Sequence, residues 1–315
     1  MNLGLPDEVE ELVRSADRAI VAAGSVELTR RAELDPTVRT LVAAPIVGAL
    51  GLDDLDVTAD PDAAIAGAEV CRVAGSHAFP LPLAAMLAGR HLESGHDLAL
   101  IGGGRPRIDH GDLGAWSAVD PSGGRFRAVP IAAPLASKLG PFVVDVALEP
   151  IPGPLAPVEL ALALDLVSFT ILGYVERARA LTIEHVTTRA QFGQTLSEFQ
   201  SVRFQVADVS VLERGLRELA RFTISRALTV GDREVMADAL ALRVAALEAA
   251  TEVFRVAHQL HGAIGFCDEH DLSILSRHVQ PQLRLPLALE GTTQLLVDSI
   301  TEAPFDSLFS AAAGA

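Results

Sequence analysis

Aromatic residues make up only 4% of the 315-residue chain, with a single tryptophan, Trp116, and a single tyrosine, Tyr174. An interior that must be built from Ala, Leu and Val argues against an aromatic-rich β-sandwich and for helices. Cysteine is as scarce. Cys71 and Cys267 lie far apart in the chain, too few for a disulfide scaffold or a thiolate metal site, and they read as two buried thiols of a reduced compartment. Lysine is reduced to Lys138 alone, a bias that suits a GC-rich genome, and basic side chains as a whole fall short of acidic ones, 25 against 41, for a net charge of −16. A body this acidic repels phosphate backbones and anionic lipid, so nucleic-acid binding and membrane-surface binding are disfavoured. Any polyanionic ligand has to meet a local arginine. No apolar run approaches the ~20 residues of a membrane span. The start, MNLGLPDEVEELVRS, is acidic and lacks the hydrophobic segment of a signal peptide. The chain is expected to be soluble and cytoplasmic.

What is present is a large apolar fraction, 50%, with a mean hydropathy of +0.33, which excludes an extended disordered protein and supplies ample core. The texture changes twice along the chain. Residues 1–96 read as short helices: one opened by Pro6-Asp7, one over 38–50, one over 61–73 and one over 80–94. Residues 97–150 are punctuated by Gly102 to Gly104, Pro106, Gly111, Gly114, Pro121, Gly123 and Pro130, around short apolar runs at 98–101, 125–131 and 142–148. Breakers at that density predict a small, hairpin-rich β region. Pro150, Pro152, Pro154 and Pro157 then form a linker. Over 151–315 the pattern is long and helical: 158–185, a helix opened at Ser197 by a Ser-x-x-Gln capping box, one ending near Leu260 before Gly262, and one over 291–300. Along the second of these Phe199, Val202, Val206, Val209, Leu212, Leu216, Leu219 and Phe222 recur every three or four residues, the stripe of a bundle seam. The expected fold is mainly α with a small β region, ending in an up-down four-helix bundle.

Three segments carry more polar detail than bundle helices need. Arg189, Gln191 and Phe192 precede Gly193 and a new helix start, a corner where a forked donor and free N–H groups can meet an anion. Gln259-Leu260-His261-Gly262-Ala263-Ile264-Gly265-Phe266 combines polar groups with glycines that allow close approach. Glu290 opens Glu-Gly-Thr-Thr-Gln, ending at Gln294. Read one by one, these are also a solvated helix corner, a C-cap with a structural histidine, and an acid suiting a helix dipole.

In this order the three segments resemble the acyl-CoA dehydrogenase family. Arg189 to Gly193 with Phe199-Gln200 is similar to its Arg-x-x-Phe-Gly corner and following helix. Gln259 to Phe266 is similar to its Gln-x-x-Gly-Gly-x-Gly-Phe segment, with Ala263 for the second glycine. Glu269-His270-Asp271 and Glu290 to Gln294 follow as in many members. The resemblance covers roughly 158–300 and implies an N-terminal helical domain (1–96), a middle β-domain (97–150) and a C-terminal bundle (151–315). It also implies FAD held across a subunit interface. Arg189, Gln191 and Phe192, with Gln259, Leu260, Gly262 and Ala263, would contact the neighbour's FAD, while Thr292 and Gln294 would contact the chain's own. The implied reaction is α,β-dehydrogenation of an acyl-CoA thioester, with Glu290 as base and an electron-transfer flavoprotein as acceptor. Glu159, Asp165 and Glu269 are the other carboxylates at comparable places.

The β region is about half the family's size and lacks its Thr-Glu-Pro-x-x-Gly-Ser-Asp-like flavin wall. In this the chain resembles the shortened subunits that bacterial members of actinobacterial steroid catabolism pair with a full-length subunit as α2β2 heterotetramers. That implies a flavin and a base supplied by the partner, and a steroid-derived thioester as substrate. A self-sufficient homo-oligomer and a non-catalytic stabilising subunit are the alternatives.

Overall fold

The computed structural model describes residues 5–90, 92, 96–102, 104–131 and 139–301. It is mostly helical, with a small sheet inserted between two helical parts. The first part holds α1 (Asp7–Ala23), α2 (Val26–Leu34), a π-turn (Arg39–Ala43) leading into α3 (Ala44–Ala49), α4 (Pro61–Ser76) and α5 (Leu83–Gly89). Asp60 caps α4 by accepting from the Ala63 N–H, and Pro61 fills its first position, where no N–H is needed. Helix α2 has no counterpart in the sequence reading. The helix expected over 80–94 shrinks to α5, and residues 91 and 93–95 lie outside the described residues.

The sheet comprises β1 (Asp97–Leu100), β2 (Arg107–Asp109), β3 (Trp116–Val119), β4 (Arg125–Pro130) and β5 (Val143–Ile151), in the order β1-β3-β4-β5-β2. Hairpins account for β3-β4-β5, but β1 runs parallel to β3, a pairing that local turn signals cannot reveal. Pro150, expected in a linker, sits in β5 opposite Phe126.

Helix α6 (Pro157–Thr188) is the axis of the molecule, packed by α4, α5, α7, α8 and α9. By length and composition it could cross a membrane, contrary to the expectation from apolar runs. However, 78% of its apolar window is buried inside the protein, as suits a core helix. A short hairpin, β6 (Ala190–Gln191) and β7 (Gln194–Thr195), leads to α7 (Gln200–Arg226), then α8 (Asp232–His261), α9 (Asp271–Arg284) and α10 (Leu289–Thr301). Helix α9 is also absent from the sequence reading. Its start is capped by the His270 ring, which accepts from the Leu272 N–H. The capping box before α7 is Thr195 with Glu198, not Ser197 with Gln200: the Glu198 carboxylate accepts from the Thr195 N–H at 2.9 Å.

One apolar core runs from Ala16 through Leu98 and Phe142 to Val279, joining all three parts, and a second small cluster lies on the sheet around Ile108 and Trp116. Arg72 bridges Glu69 and Glu176, and Arg217 bridges Glu176 and Glu213, an ion-pair chain that ties α4, α6 and α7 together. The predicted α7 seam is buried at Val209 and Leu216 only. Leu212 is exposed, as are Phe204 and Val211 beside it. Cys71 is buried as expected, whereas Cys267 is exposed.

Candidate functional site

At its C-terminal end α6 gives way to Arg189 in an extended conformation, and the chain reverses through Phe192 (φ 54°) and Gly193 (φ 82°). Two successive positive φ angles make the two-residue turn that matches the twist of a hairpin, and glycine takes its position without strain. Phe192 does not have that freedom, yet its ring stands 92% exposed, with only the edge of Phe199 at 6.4 Å. Arg189 and Gln191 are exposed beside it, and the Arg189 guanidinium has no carboxylate partner among the described residues. A cation and an aromatic ring are thus held outward by backbone geometry.

The end of α8 meets this corner. His185, in the last turn of α6, stacks on His261 at 4.4 Å, and His270 approaches His261 edge-on at 4.8 Å. His261 Nδ1 bonds the Ala257 carbonyl oxygen at 2.7 Å, while its Nε2 is buried with no partner among the described residues. Burial pushes His261 down to about 4, against the pull of the Ala257 carbonyl and with help from His185, His270 and His258. A ring held neutral can stack on other imidazoles without mutual repulsion. His258 in turn stacks on the exposed Phe266 at 4.3 Å. Gln259 is exposed, Leu260 is half-buried, and Gly262 (φ 63°) and Ala263 face solvent. Ala263 therefore points its extra methyl outward, and the departure from a double glycine costs nothing locally.

Two of the three sequence segments therefore converge, through histidines whose pairing spans a long stretch of chain. His185 is not singled out in the sequence, and His270 only within Glu269-His270-Asp271, since only the fold makes the two rings neighbours of His261. The third segment lies elsewhere. The buried Arg243 on α8 donates to the carbonyls of Leu285 and Leu287 at 2.6 and 3.2 Å, pinning the turn before α10. That point is about 27 Å along α8 from His261. Thr292 is buried, and its hydroxyl donates to the Leu287 and Ala288 carbonyls. Gln294 is exposed and donates to Asp298. Glu290 is exposed in the first turn of α10. The end of β1 lies directly on this turn: a Cβ at Gly102 would meet the Pro286 carbonyl oxygen at 2.0 Å. Residue 103, in the glycine cluster, is outside the described residues.

The other candidate carboxylates are placed as follows. Asp165, on α6, is fully buried with Asp238 of α8 nearby. Glu159 caps the start of α6 by accepting from the Ala156 N–H. Glu269 is exposed, and its neighbour Asp271 pairs with Arg30 and Arg177.

An arginine, two amides and two aromatic rings are thus exposed together at one end of the bundle. The family model for the acyl-CoA dehydrogenase C-terminal domain matches residues 166–304, from within α6 through α10. A 3-sulfinopropanoyl-CoA desulfinase of Paraburkholderia xenovorans is 32% identical over 126 residues, a match spanning 40% of this chain and 30% of that relative. Among solved structures, the ChsE4–ChsE5 complex from Mycobacterium tuberculosis superposes with a TM-score of 0.76 at 19% identity, covering 96% of this chain and 100% of that one. The Tcur3481–Tcur3483 steroid ACAD G363A variant superposes with a TM-score of 0.73 at 19% identity, covering 94% and 98%. At such identities the likeness is one of fold.

Proposed function

We propose that this chain is the shortened subunit of a heteromeric acyl-CoA dehydrogenase and contributes half of an FAD site whose other half belongs to a full-length partner. The observation that carries this reading is the split of the three segments. Those at Arg189 and Gln259 converge and face outward, while in the third Thr292 is buried with its hydroxyl on its own turn, and the exposed Glu290 and Gln294 stand at the other end of α8. The residues present fit the nucleotide end of FAD. The exposed Arg189 guanidinium, without a carboxylate partner among the described residues, matches a pyrophosphate, the exposed Gln191 and Gln259 amides can bond ribose or adenine edges, and Phe192 and Phe266 shield the contact from water. Leu260, Gly262 and Ala263 let the partner's nucleotide lie close to the backbone. FAD, when bound, supplies the hydride acceptor for α,β-dehydrogenation of an acyl-CoA thioester. This chain's part is to bind and orient. Glu290 stands at the far end of α8 from the corner, so the base that removes the α-proton comes from the partner. The steroid ACAD variant among the structural neighbours supports a steroid-derived thioester as substrate. An electron-transfer flavoprotein is the acceptor and the cytoplasm the site of action.

One feature favours the alternative of a self-sufficient homo-oligomer: an open groove of about 550 Å³ between Ile101, Asp120, Phe126 and Leu295. Visible absorbance separates the two. The chain purified alone is expected to be colourless, and the chain co-purified with a full-length homologue encoded beside it is expected to show flavin bands. Flavin bands on the isolated chain would overturn the shared site and select the homo-oligomer.

A further inference from the structure

A cavity of about 90 Å³ lies between α5, the first three strands, α6 and the end of α9, well away from the Arg189 corner. Its walls differ in character. One side is apolar, formed by Phe79, Leu83, Ala88, Leu98, Trp116 and Val167. The other carries Asp109, His110, Tyr174, His278 and Gln282, with Arg107 at the rim. Gln282 donates to the Asp109 carboxylate at 3.2 Å. His110 is 5% exposed and its Nδ1 has no partner among the described residues, although the ring rests 4.7 Å from Phe142. Its backbone is held at φ 57°, a conformation that non-glycine residues adopt at a cost, and such strain clusters at binding sites. The Tyr174 hydroxyl also has no hydrogen-bond partner among the described residues.

The full charges around this space are already matched. Arg39 is bidentate to Asp112, Glu33 takes both Arg277 and His278, and Arg107 pairs with Asp145. An ionic head would find no free counter-charge among the described residues. Burial pushes Asp109 up to about 7 and His110 well below its usual value, so both stand uncharged at about pH 6, one as a donor and one as a donor–acceptor. A cluster of waters is served poorly here, because each needs two to four polar partners and these lie on one side only. An aliphatic tail against the apolar wall, with one uncharged hydrogen-bonding head at the polar end, satisfies both. At interior packing density the space holds about four or five heavy atoms.

We propose that this cavity is a binding site for a small uncharged amphiphile, a short aliphatic amide or alcohol, whose head bonds Asp109, His110 and Tyr174. The inference does not rest on the FAD reading.

Trp116 lines the cavity and is the chain's only tryptophan, so its fluorescence reports occupancy. Acrylamide is both a five-atom neutral amide and a contact quencher. Titrated into the full chain at about pH 6, where the Asp109 carboxyl keeps its proton, it is expected to quench Trp116 saturably. Half-saturation is expected on the order of millimolar. Propanamide should relieve the quenching at least about threefold, and propanoate should not. Asp109→Asn keeps an uncharged head and should retain the saturable component, whereas Asp109→Leu and Val167→Phe should lose it, with circular dichroism confirming the fold. A linear, shallow quenching curve indifferent to propanamide in the unsubstituted chain would overturn the proposal, whatever the variants do.

Discussion

Asp165 shows how far a single side chain can depart from its sequence reading. On α6 it is one of the carboxylates open to a catalytic role, yet it is 0% exposed and neither oxygen has a partner among the described residues. Burial, with Asp238 nearby, pushes its pKa well above the usual carboxylate range. The folded state therefore keeps a proton that the unfolded state loses above about pH 4. The folded state binds more protons across that window, so stability falls as pH rises from the unfolded pKa to the folded one, by up to about 1.4 kcal/mol per unit. Asp165→Asn removes this slope. Its thermal midpoint is expected to match that of the unsubstituted protein below about pH 4 and to exceed it increasingly towards pH 8. Parallel curves for the two proteins would show that Asp165 is ionised in the fold.

Between elements, the tightest constraint is the crossing of α4 and α6. A Cβ at Gly173 would meet the Arg72 carbonyl oxygen at 1.9 Å, and one at Gly75 would meet the Thr170 carbonyl oxygen at 2.0 Å. Each helix presents a glycine to the backbone of the other, and the Arg72–Glu176 pair closes over the same crossing. Gly173→Ala is expected to destabilise at the upper end of the overpacking range of about 1–3 kcal/mol or beyond. Gly215→Ala on the exposed face of α7, where a Cβ meets nothing within 4 Å, is the control of opposite sign. There the helix gains about 0.5–1 kcal/mol from lost chain freedom in the unfolded state. Chemical denaturation of the two variants checks both signs.

For the molecule as a whole, the exposed corner and the half-uncovered α7 seam point outward together. The Arg189 side chain makes no hydrogen bond or ion pair among the described residues, so Arg189→Ala is expected to leave the isolated protein's melting curve nearly unchanged. In the co-purified complex the same change should weaken flavin retention by about tenfold or more, the worth of a charge-assisted hydrogen bond. Equal flavin content in both complexes, measured after gel filtration, would mean that the chain only stabilises its partner. Truncation at Phe192 or Gln259 would be a poorer test, because both segments also shape the hinge between helices.

Much of this protein was legible before folding. Helical periodicity located α1, α4, α6, α7 and α8, and glycine and proline density marked the small sheet, because these signals are local and repeat along the chain. The polar segments at Arg189, Gln259 and Glu290 stood out for the same reason: their residue types are costly in plain bundle helices. What only the tertiary structure decided were the relations across long separations. The parallel pairing of β1 with β3, the stacking of His185 on His261, the burial of Asp165 and Thr292, and the walls of the cavity beside Trp116 all depend on which faces of distant elements meet. No periodicity within one segment encodes that, since burial and pairing energies belong to two partners at once.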